Sequence, residues 1–148
     1  MRAHLLALAL FATIGISFPA SAQDPLTSQL ADLGVPVVGR LTAPATADGG
    51  DMFWIDDATL AVGRSYRTNA VAVAQLEEIL RPRGVRVEVY DVPHDQGPEW
   101  CLHLMSVVSP VREDLAVVYE RLAPVAMLEE LRRRGVVSGG LSGRRPES

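Results

Sequence analysis

The stretch "LRPRGVRVEV", residues 80–89, ends a helix-like run at a glycine and starts a run of alternating valines. Glycine just past a helix can take the left-handed conformation that ends it, and valines favour an extended chain. "LADLGVPVV" (30–38) and "LRRRGVV" (131–137) follow the same pattern. The glycines Gly34, Gly84 and Gly135 recur about every 50 residues, which indicates a repeated supersecondary unit.

The segment between the first two glycines predicts a complete unit. "VPVVGRL" (35–41) predicts a strand, and "DMFWID" (51–56) with "TLAVG" (59–63) predicts a hairpin that turns at two aspartates. A helix follows, with Asn69, the only asparagine of the chain, as its N-terminal cap. "VRVEVYDV" (85–92) then predicts a strand, so the order is strand, strand, helix, strand.

The second unit has the same pattern. "WCLHLMSVVS" (100–109) predicts a strand, and residues 110–114 predict a turn before the strand-like "LAVVYE" (115–120). A helix is predicted from about residue 124 to residue 134, and its final strand should begin at Gly135. Residues 136–148 instead lack hydrophobic alternation, so we expect a disordered tail in place of the strand.

Units of this kind need neighbours on both sides to bury their sheet edges, and radial repetition in a ring provides them. The chain contains about two units, preceded by "LTSQLADLG" (26–34) as the tail of an earlier one. We therefore predict an α/β fold that forms part of a propeller-like ring, with the folded domain spanning residues 23–135.

The N-terminus predicts a secretory signal over residues 1–22. It has a basic start, an apolar stretch from Leu5 to Ile16 and a small-residue cleavage pattern that ends at Ala22. The expected location is the periplasm or the exterior, with no membrane anchor in the mature form, and the alternative is the cytoplasm. A net charge of −4 argues against a nucleic acid partner, and the single cysteine, Cys101, argues against an internal disulfide framework.

Three motifs lie in register with the repeat: "DGGDMFW" (48–54), "GRSYRTN" (63–69) and "LHLMS" (102–106). In this order they resemble the superfamily of dimethylarginine dimethylaminohydrolases, arginine deiminases and amidinotransferases, the penteins, over about residues 26–135. The resemblance implies a ring of five strand-strand-helix-strand units around a central active site. About two of the five would be present in this chain.

The resemblance also implies roles for particular residues. Asp48 would hold the guanidinium group of the substrate, Arg67 would bind its carboxylate, and His103 would be the general acid and base; Asp51 is either a substrate contact or a structural residue. Carboxylate and guanidinium groups pair through charge-assisted hydrogen bonds, and histidine exchanges protons near neutral pH. The implied reaction converts dimethylarginine to citrulline and dimethylamine without a cofactor or metal.

Each residue taken singly has a simpler interpretation. Asp48 before two glycines is typical of a turn, Arg67 of a solvated loop, and His103 between apolar residues of a hydrogen-bonded core histidine. Their joint occurrence favours the functional interpretation. "DVPHDQGPEW" (91–100) carries Asp91, His94 and Asp95, but its spacing is not typical of metal sites, and the chain has no nucleotide-binding glycine motif.

The nucleophile is the main departure from the family pattern. In these enzymes a cysteine in a glycine-rich segment near the C-terminus attacks the guanidinium carbon, and Cys101 does not match that position. Cys101 is interpreted either as an alternative nucleophile that lies beside His103 on one strand face or as a small buried hydrophobe. Three hypotheses follow: an incomplete guanidine hydrolase, a non-catalytic fragment or pseudoenzyme that binds a guanidino compound, and a gene fragment without a stable fold. Oligomer formation is a further possibility.

Overall fold

A computed structural model describes residues 25–94 and 96–140. The predicted signal segment 1–22, Asp95 and the last part of the predicted tail, 141–148, lie outside the described residues. The helices and strands, in chain order, are α1 (Pro25–Asp32), β1 (Met52–Asp56), β2 (Thr59–Arg64), α2 (Ala70–Leu80), β3 (Arg86–Asp91), α3 (Leu104–Val107), β4 (Val108–Arg112), β5 (Leu115–Val118), α4 (Val125–Arg133) and β6 (Val137–Gly140). Within the described part, no helix is long and apolar enough to cross a membrane.

The strands form two open three-stranded sheets with the same topology. In the first sheet β1 pairs antiparallel with β2, and β2 pairs parallel with β3. β4, β5 and β6 repeat both pairings in the second sheet, and the hairpin register is also the same, with Met52 opposite Val62 and Val108 opposite Val118. Helices α2 and α4 make the parallel crossovers. The predicted order of strand, strand, helix, strand is therefore present in both sheets.

The three helix exits share one backbone conformation. Gly34, Gly84 and Gly135 have φ values of 71°, 73° and 71°. At each exit the residue after the glycine donates to a carbonyl of the last helical turn, for example Val136 N–H to Leu131 O at 2.9 Å. This is the hydrogen-bond pattern that ends a helix at a left-handed residue. The repeat predicted from the glycines is confirmed at the level of local geometry.

The first sheet is buried on both faces. Leu60 and Val62 of β2 face α2 and join one core, whereas Ala61 between them joins a second core with α4 and the second sheet. Residues that alternate along a strand point to opposite faces, so two cores can share one strand. The shared core contains Phe53, Ala61, Tyr90, Leu104, Val107, Val108, Ala116, Val118, Ala123, Met127 and Leu131.

Asn69 caps α2, as predicted, and also holds the preceding loop. Its Oδ1 accepts from Ala72 N–H at 2.9 Å and from Thr46 N–H at 3.3 Å, and its Nδ2 donates to Pro44 O at 2.8 Å. A single side chain thus satisfies a free helix N–H group and connects residues 44–46 to the start of the helix.

We expect Asn69→Ala to lower the free energy of unfolding by about 1–2 kcal/mol, because it removes a cap and two loop contacts. Asn69→Asp should lose less, since it keeps the capping oxygen and removes only the amide donor. Urea denaturation followed by circular dichroism measures both values. Equal losses for the two variants would show that the cap contributes little.

Arg134, at the end of α4, links this helix to the first sheet electrostatically. Its guanidinium pairs with Glu130 on the preceding helical turn and with Asp56 at the end of β1. The Arg134 side chain is only 19% exposed, so solvent screens its two ion pairs less than it screens a pair on the surface. Glu130 also accepts two hydrogen bonds from Arg133, and hydrogen bonding from Arg133, helped by Arg134, lowers the pKa of Glu130 to about 2 from an ordinary 4.5.

This shift predicts a pH-dependent contribution to stability. A carboxyl whose pKa is lower in the folded state stabilises the protein above its unfolded pKa, and that contribution is lost as pH falls from about 4.5 toward 2. We expect Glu130→Gln to lower the free energy of unfolding by about 1–2 kcal/mol at pH 7 and by almost nothing at pH 2. The value at pH 7 is kept small because solvent screens the exposed Arg133. Chemical denaturation across this range measures the difference, and Glu129→Gln, on the exposed side of α4, should show none.

Two predicted strands are wrong. Residues 35–41 are irregular and lie across α2, where Gly39 passes so close to Ile79 that a Cβ would be 2.6 Å from that side chain. Residues 100–107 form a turn, an extended segment and the short helix α3, and the strand begins only at Val108. Strand propensity is overridden in the second case because Leu104 N–H donates to the buried Asp51 carboxylate rather than to a neighbouring strand.

The prediction of a missing last strand is also wrong. β6 covers Val137–Gly140 and pairs parallel with β5, and Val137 N–H donates to Asp114 O at 2.9 Å. Residues 136–140, which the sequence assigned to a disordered tail, are therefore ordered. The glycine-rich sequence lacks strand propensity, but the free edge of β5 supplies the hydrogen-bond partners that a short edge strand needs.

Candidate functional site

The first motif forms a tight turn before β1. Asp48 caps a single turn of 3-10 helix over Gly49–Asp51, and its Oδ1 accepts from Gly50 N–H at 2.9 Å. The Asp48 backbone N–H donates to the Thr68 hydroxyl at 3.1 Å, which joins this turn to the second motif. The turn predicted from "DGG" is present, and it leaves the second oxygen of Asp48 free to face a different segment.

The second motif forms a turn that presents Arg67. The Ser65 hydroxyl accepts from the backbone N–H groups of Arg67 and Thr68, at 3.1 and 3.2 Å, and Ser65 N–H donates to Thr68 O at 2.9 Å. A serine that bonds the backbone two and three residues ahead fixes the turn locally. The position of Arg67 is therefore set by "SYRT" before the helix begins.

His103 lies against the first motif. Its Nε2 is 3.2 Å from Asp48 Oδ2, and the two side chains are 38% and 41% exposed. The ring packs directly on Gly50, where an added Cβ would be 2.6 Å from His103 Cδ2. The Gly50 N–H lowers the pKa of the Asp48 carboxyl below its ordinary value, and His103 and Arg67 lower it further against the opposing effect of burial. An ionised carboxylate and an imidazole thus form a half-exposed pair.

The close contact at Gly50 gives a testable prediction. We expect Gly50→Ala to displace the imidazole from Asp48, because ring atoms that belong to a short side chain cannot move aside as a flexible chain end would. The His103 ring resonances of the variant should therefore shift away from those of the native chain. Gly49→Ala is the matched control, since a Cβ there meets nothing within 4 Å. Identical His103 ring shifts in the NMR spectra of both variants would contradict the prediction.

Asp51 lies beneath these two motifs and is completely buried. Its Oδ2 accepts from the hydroxyls of Ser65 and Thr68 at 2.7 and 2.9 Å, and its Oδ1 accepts from Leu104 N–H at 3.1 Å. The sequence left open whether Asp51 is structural or contacts substrate. Burial and three protein donors favour the structural interpretation over the predicted substrate contact.

Arg67 is held at one end and has free donors at the other. Its Nη1 donates to Cys101 O at 2.9 Å, and its Nη2 lies 3.9 Å from Asp51 Oδ1. Among the described residues no acceptor forms a hydrogen bond with its Nε or Nη2, although both atoms are buried. Buried donors without an acceptor are costly, so they mark a position where an anionic or carbonyl oxygen would be stabilised.

Cys101 is buried, and its Sγ is 3.7 Å from Leu102 O and 4.0 Å from Val92 O. Because residues 101–103 do not form a strand, the predicted placement of Cys101 and His103 on one strand face is wrong. Burial of the thiol among carbonyl groups agrees with its interpretation as a small buried hydrophobe. Its backbone carbonyl, in contrast, contributes to the site by orienting Arg67.

The structure brings together Asp48, Asp51, Arg67 and His103, all four of the predicted site residues. Sequence reasoning missed the two hydroxyls, Ser65 and Thr68, that connect them. Both lie inside the quoted "GRSYRTN", and a serine followed by a threonine three residues later, just before a helix cap, is a pattern typical of side-chain to backbone turns. That pattern could have identified them.

Residues 91–100, whose spacing is not typical of metal sites, form other contacts in the described structure. Asp91 pairs with Arg64 through two hydrogen bonds, and the Tyr66 hydroxyl is 3.0 Å from His94 Nδ1. Over residues 25–94 and 96–140, no group of three histidine, cysteine or acidic side chains could hold a metal ion. The contact between Tyr66 and His94 instead connects this loop to the Arg67 turn.

A known protein family matches the part of the chain that carries this site. The family model described as arginine deiminase matches residues 32–136, which is more than half of the chain. The chain belongs to the arginine deiminase family. The matched range contains the first sheet, strands β4 and β5 of the second sheet, and all four site residues of this arginine deiminase family member. The resemblance drawn from the three motifs is therefore confirmed at the level of the superfamily.

Individual relatives agree with this assignment. A dimethylarginine dimethylaminohydrolase from Streptomyces coelicolor is 38% identical over 85 residues, which cover 57% of this chain and 30% of that enzyme. A dimethylarginine dimethylaminohydrolase structure from Pseudomonas aeruginosa, a cysteine-to-serine mutant with citrulline, superposes with a TM-score of 0.59 at 21% identity and covers 76% of this chain and 41% of that one. An amidinotransferase from Microseira wollei has a TM-score of 0.53 at 17% identity, over 73% of this chain and 31% of that one. The chain therefore spans less than half the length of these relatives, and the structural likenesses show the fold.

Proposed function

We propose that this chain carries the substrate-binding part of a guanidine-modifying hydrolase of the dimethylargininase type. The observation that supports this most is the convergence of three distant segments, which place the Asp48–His103 pair and the free donors of Arg67 in one site. The relative at 38% identity is a dimethylarginine dimethylaminohydrolase, and solved relatives are described with citrulline and with S-methyl-L-thiocitrulline. These ligands share an amino acid end and a planar urea-like or guanidine-like end.

Arg67 is proposed to bind the carboxylate of the ligand. Its Nη1 is already anchored to Cys101 O, and its Nε and Nη2 are the two donors left without a hydrogen-bond acceptor among the described residues. Nε and one Nη of a guanidinium form an edge that can donate two parallel hydrogen bonds to one carboxylate. A ligand carboxylate at this edge would complete the hydrogen bonding of Arg67.

Asp48 and His103 are proposed to act at the guanidine end. Asp48 keeps its negative charge because its pKa is lowered, so it can attract a guanidinium and can also stabilise a protonated His103 beside it. Protonated His103 can give its proton to the nitrogen of the departing dimethylamine, and neutral His103 can take a proton from the water that replaces it. Asp48 thus has a second task, the orientation of His103, in addition to the predicted contact with substrate.

Attack on the guanidinium carbon is not assigned to a described residue. In the family the attacking group is a cysteine. Cys101 is buried, and its sulfur lies near two carbonyl oxygens. The predicted strand that would have placed it beside His103 is not present. This burial favours a second candidate function, in which the described residues bind a guanidino compound without turning it over. The two functions share the same ligand and the same binding residues.

We further propose that the two sheets are successive units of a pentein ring. The shared topology and hairpin register support this, as does a difference in burial. Ala61 on the first sheet is completely buried by the second half of the chain, whereas Val117, at the same register position of the second sheet, is 43% exposed. An apolar face that is covered in one unit and open in the next is what a further unit in a ring would bury.

Two measurements on the purified chain separate the candidate functions. Titration with Nω,Nω-dimethyl-L-arginine should show saturable binding in both cases, by NMR or calorimetry. Citrulline release should be absent if the described residues bind the guanidino compound without turning it over. Citrulline release that is abolished by Cys101→Ala would assign the attack to Cys101 and contradict its interpretation as a buried hydrophobe.

A further inference from the structure

The Asp51 carboxylate connects three segments that are far apart in the sequence. It belongs to the turn that carries Asp48, it accepts from Ser65 and Thr68 on either side of Arg67, and it accepts from the N–H of Leu104. Leu104 directly follows His103 in the chain. One buried side chain therefore bonds to the two segments that present the other site residues.

The direction of each hydrogen bond can be assigned from the donors available. The Ser65 hydroxyl accepts from Arg67 N–H and Thr68 N–H, so its own proton is free to point at Asp51. The Thr68 hydroxyl accepts from Asp48 N–H and likewise donates to Asp51. With the N–H of Leu104, three donors point at the Asp51 carboxylate. A carboxyl group that only accepts hydrogen bonds is in its ionised form. Backbone N–H groups of the site turns are thus linked through hydroxyls to a single negative charge.

The same charge faces the ligand-binding arginine. Arg67 Nη2 lies 3.9 Å from Asp51 Oδ1, close enough for electrostatic attraction but beyond a hydrogen bond. The guanidinium is thereby held between Cys101 O and the buried carboxylate, and its Nε and Nη2 have no hydrogen-bond acceptor among the described residues. A direct hydrogen bond to Asp51 would instead have satisfied Nη2 within the protein.

We infer that Asp51 is a positioning residue, whose buried charge fixes Arg67 and His103 relative to one another without contacting the ligand. This inference rests on the proposed function, because it assigns the selectivity for the carboxylate end of the ligand to a residue that does not touch it. A neutral residue of the same shape would turn one of the three hydrogen bonds into a contact between two donors. Arg67 would also lose its internal counter-charge.

The test compares two probes on Asp51→Asn. These are Nω,Nω-dimethyl-L-arginine and its decarboxylated counterpart, N,N-dimethylagmatine, which has the same guanidine group. The native chain should prefer the carboxylated probe by about 10-fold or more. In Asp51→Asn this preference should fall below about 3-fold, mainly because binding of the carboxylated probe weakens. Asp57→Asn, in the exposed turn between β1 and β2, is the matched control and should keep the native preference.

A ligand-free measurement separates failure of this inference from failure of the proposed function. The Arg67 Nε–H resonance should exchange slowly with water in the native chain, because that atom is buried, and faster in Asp51→Asn. If the native chain binds neither probe, the proposed function fails, and this resonance alone decides the inference. A folded Asp51→Asn with the native preference and an unchanged Arg67 resonance overturns it.

Two further variants cover the case in which Asp51→Asn does not fold. Thr68→Val and Ser65→Ala each remove one hydroxyl donor and leave the carboxylate in place. Both should reduce the preference for the carboxylated probe in the same direction as Asp51→Asn, by a smaller factor. A native preference in both folded variants would contradict a positioning role for the carboxylate.

Discussion

Arg67→Ala should lower the affinity for Nω,Nω-dimethyl-L-arginine by at least about 100-fold, because it removes a paired, charge-assisted contact to the ligand carboxylate. The effect should be larger than for an ordinary surface arginine. The Arg67 side chain is only 31% exposed, one nitrogen is fixed by Cys101 O, and two donors are otherwise without a hydrogen-bond acceptor in the described part of the chain. Little conformational entropy is then lost when the ligand binds.

Arg64→Ala provides the control for this prediction. Arg64 is three positions earlier in the same segment, but it is half-exposed and already pairs with Asp91 through two hydrogen bonds. Its loss should change the affinity by less than about 2-fold, since exposed ion pairs contribute little and this one lies outside the site. Calorimetric titration of both variants gives the comparison. Equal weakening by the two substitutions would indicate general charge attraction rather than a specific contact.

Met127→Ala should have the largest effect on folding. Met127 is completely buried in the core that α4 shares with both sheets. Truncation removes buried methylene and thioether groups and leaves a cavity, so we expect a loss of about 2–4 kcal/mol in the free energy of unfolding. Because this core joins the two halves of the molecule, the midpoint of urea denaturation should fall for probes in either half.

Val125→Ala, two residues earlier on α4, is the matched control. Its side chain is 71% exposed, so the loss should be less than about 0.5 kcal/mol. In a Trp100→Phe background, which leaves Trp54 as the remaining tryptophan, fluorescence reports on the half-buried Trp54 in the first sheet, and circular dichroism reports on the helices. Two separate transitions in Met127→Ala, with the first sheet unchanged, would contradict the view that one core holds both sheets.

The sequence predicts the elements of this fold best where the local signals agree. At Gly84 a helix stop, a left-handed glycine and a run of valines all point to a crossover, and the hairpin, α2 and β3 lie close to the predicted bounds. Prediction fails where tertiary contacts override propensity. Residues 100–107 look extended, but the buried Asp51 holds Leu104 at the start of a helix. β6 lacks strand propensity, but β5 offers it a free edge.

The candidate site shows the same division. Motif order identified the side chains that converge, because three motifs in register with a repeat restrict where their residues can lie. The hydroxyls of Ser65 and Thr68 and the contact of Gly50 with His103 were not predicted, since they depend on distances between segments that only folding brings together. For the same reason the sequence could not decide whether Asp51 faces the ligand or the interior.

A titration of the isotope-labelled chain with Nω,Nω-dimethyl-L-arginine, followed residue by residue by NMR, tests most directly whether these segments form a guanidino-compound site. Saturable shifts should appear at Asp48, Arg67 and His103 and should disappear in Arg67→Ala, while Arg64→Ala keeps them. A folded chain that shows no saturable shifts, or shifts confined to residues outside these three segments, would contradict the proposed site.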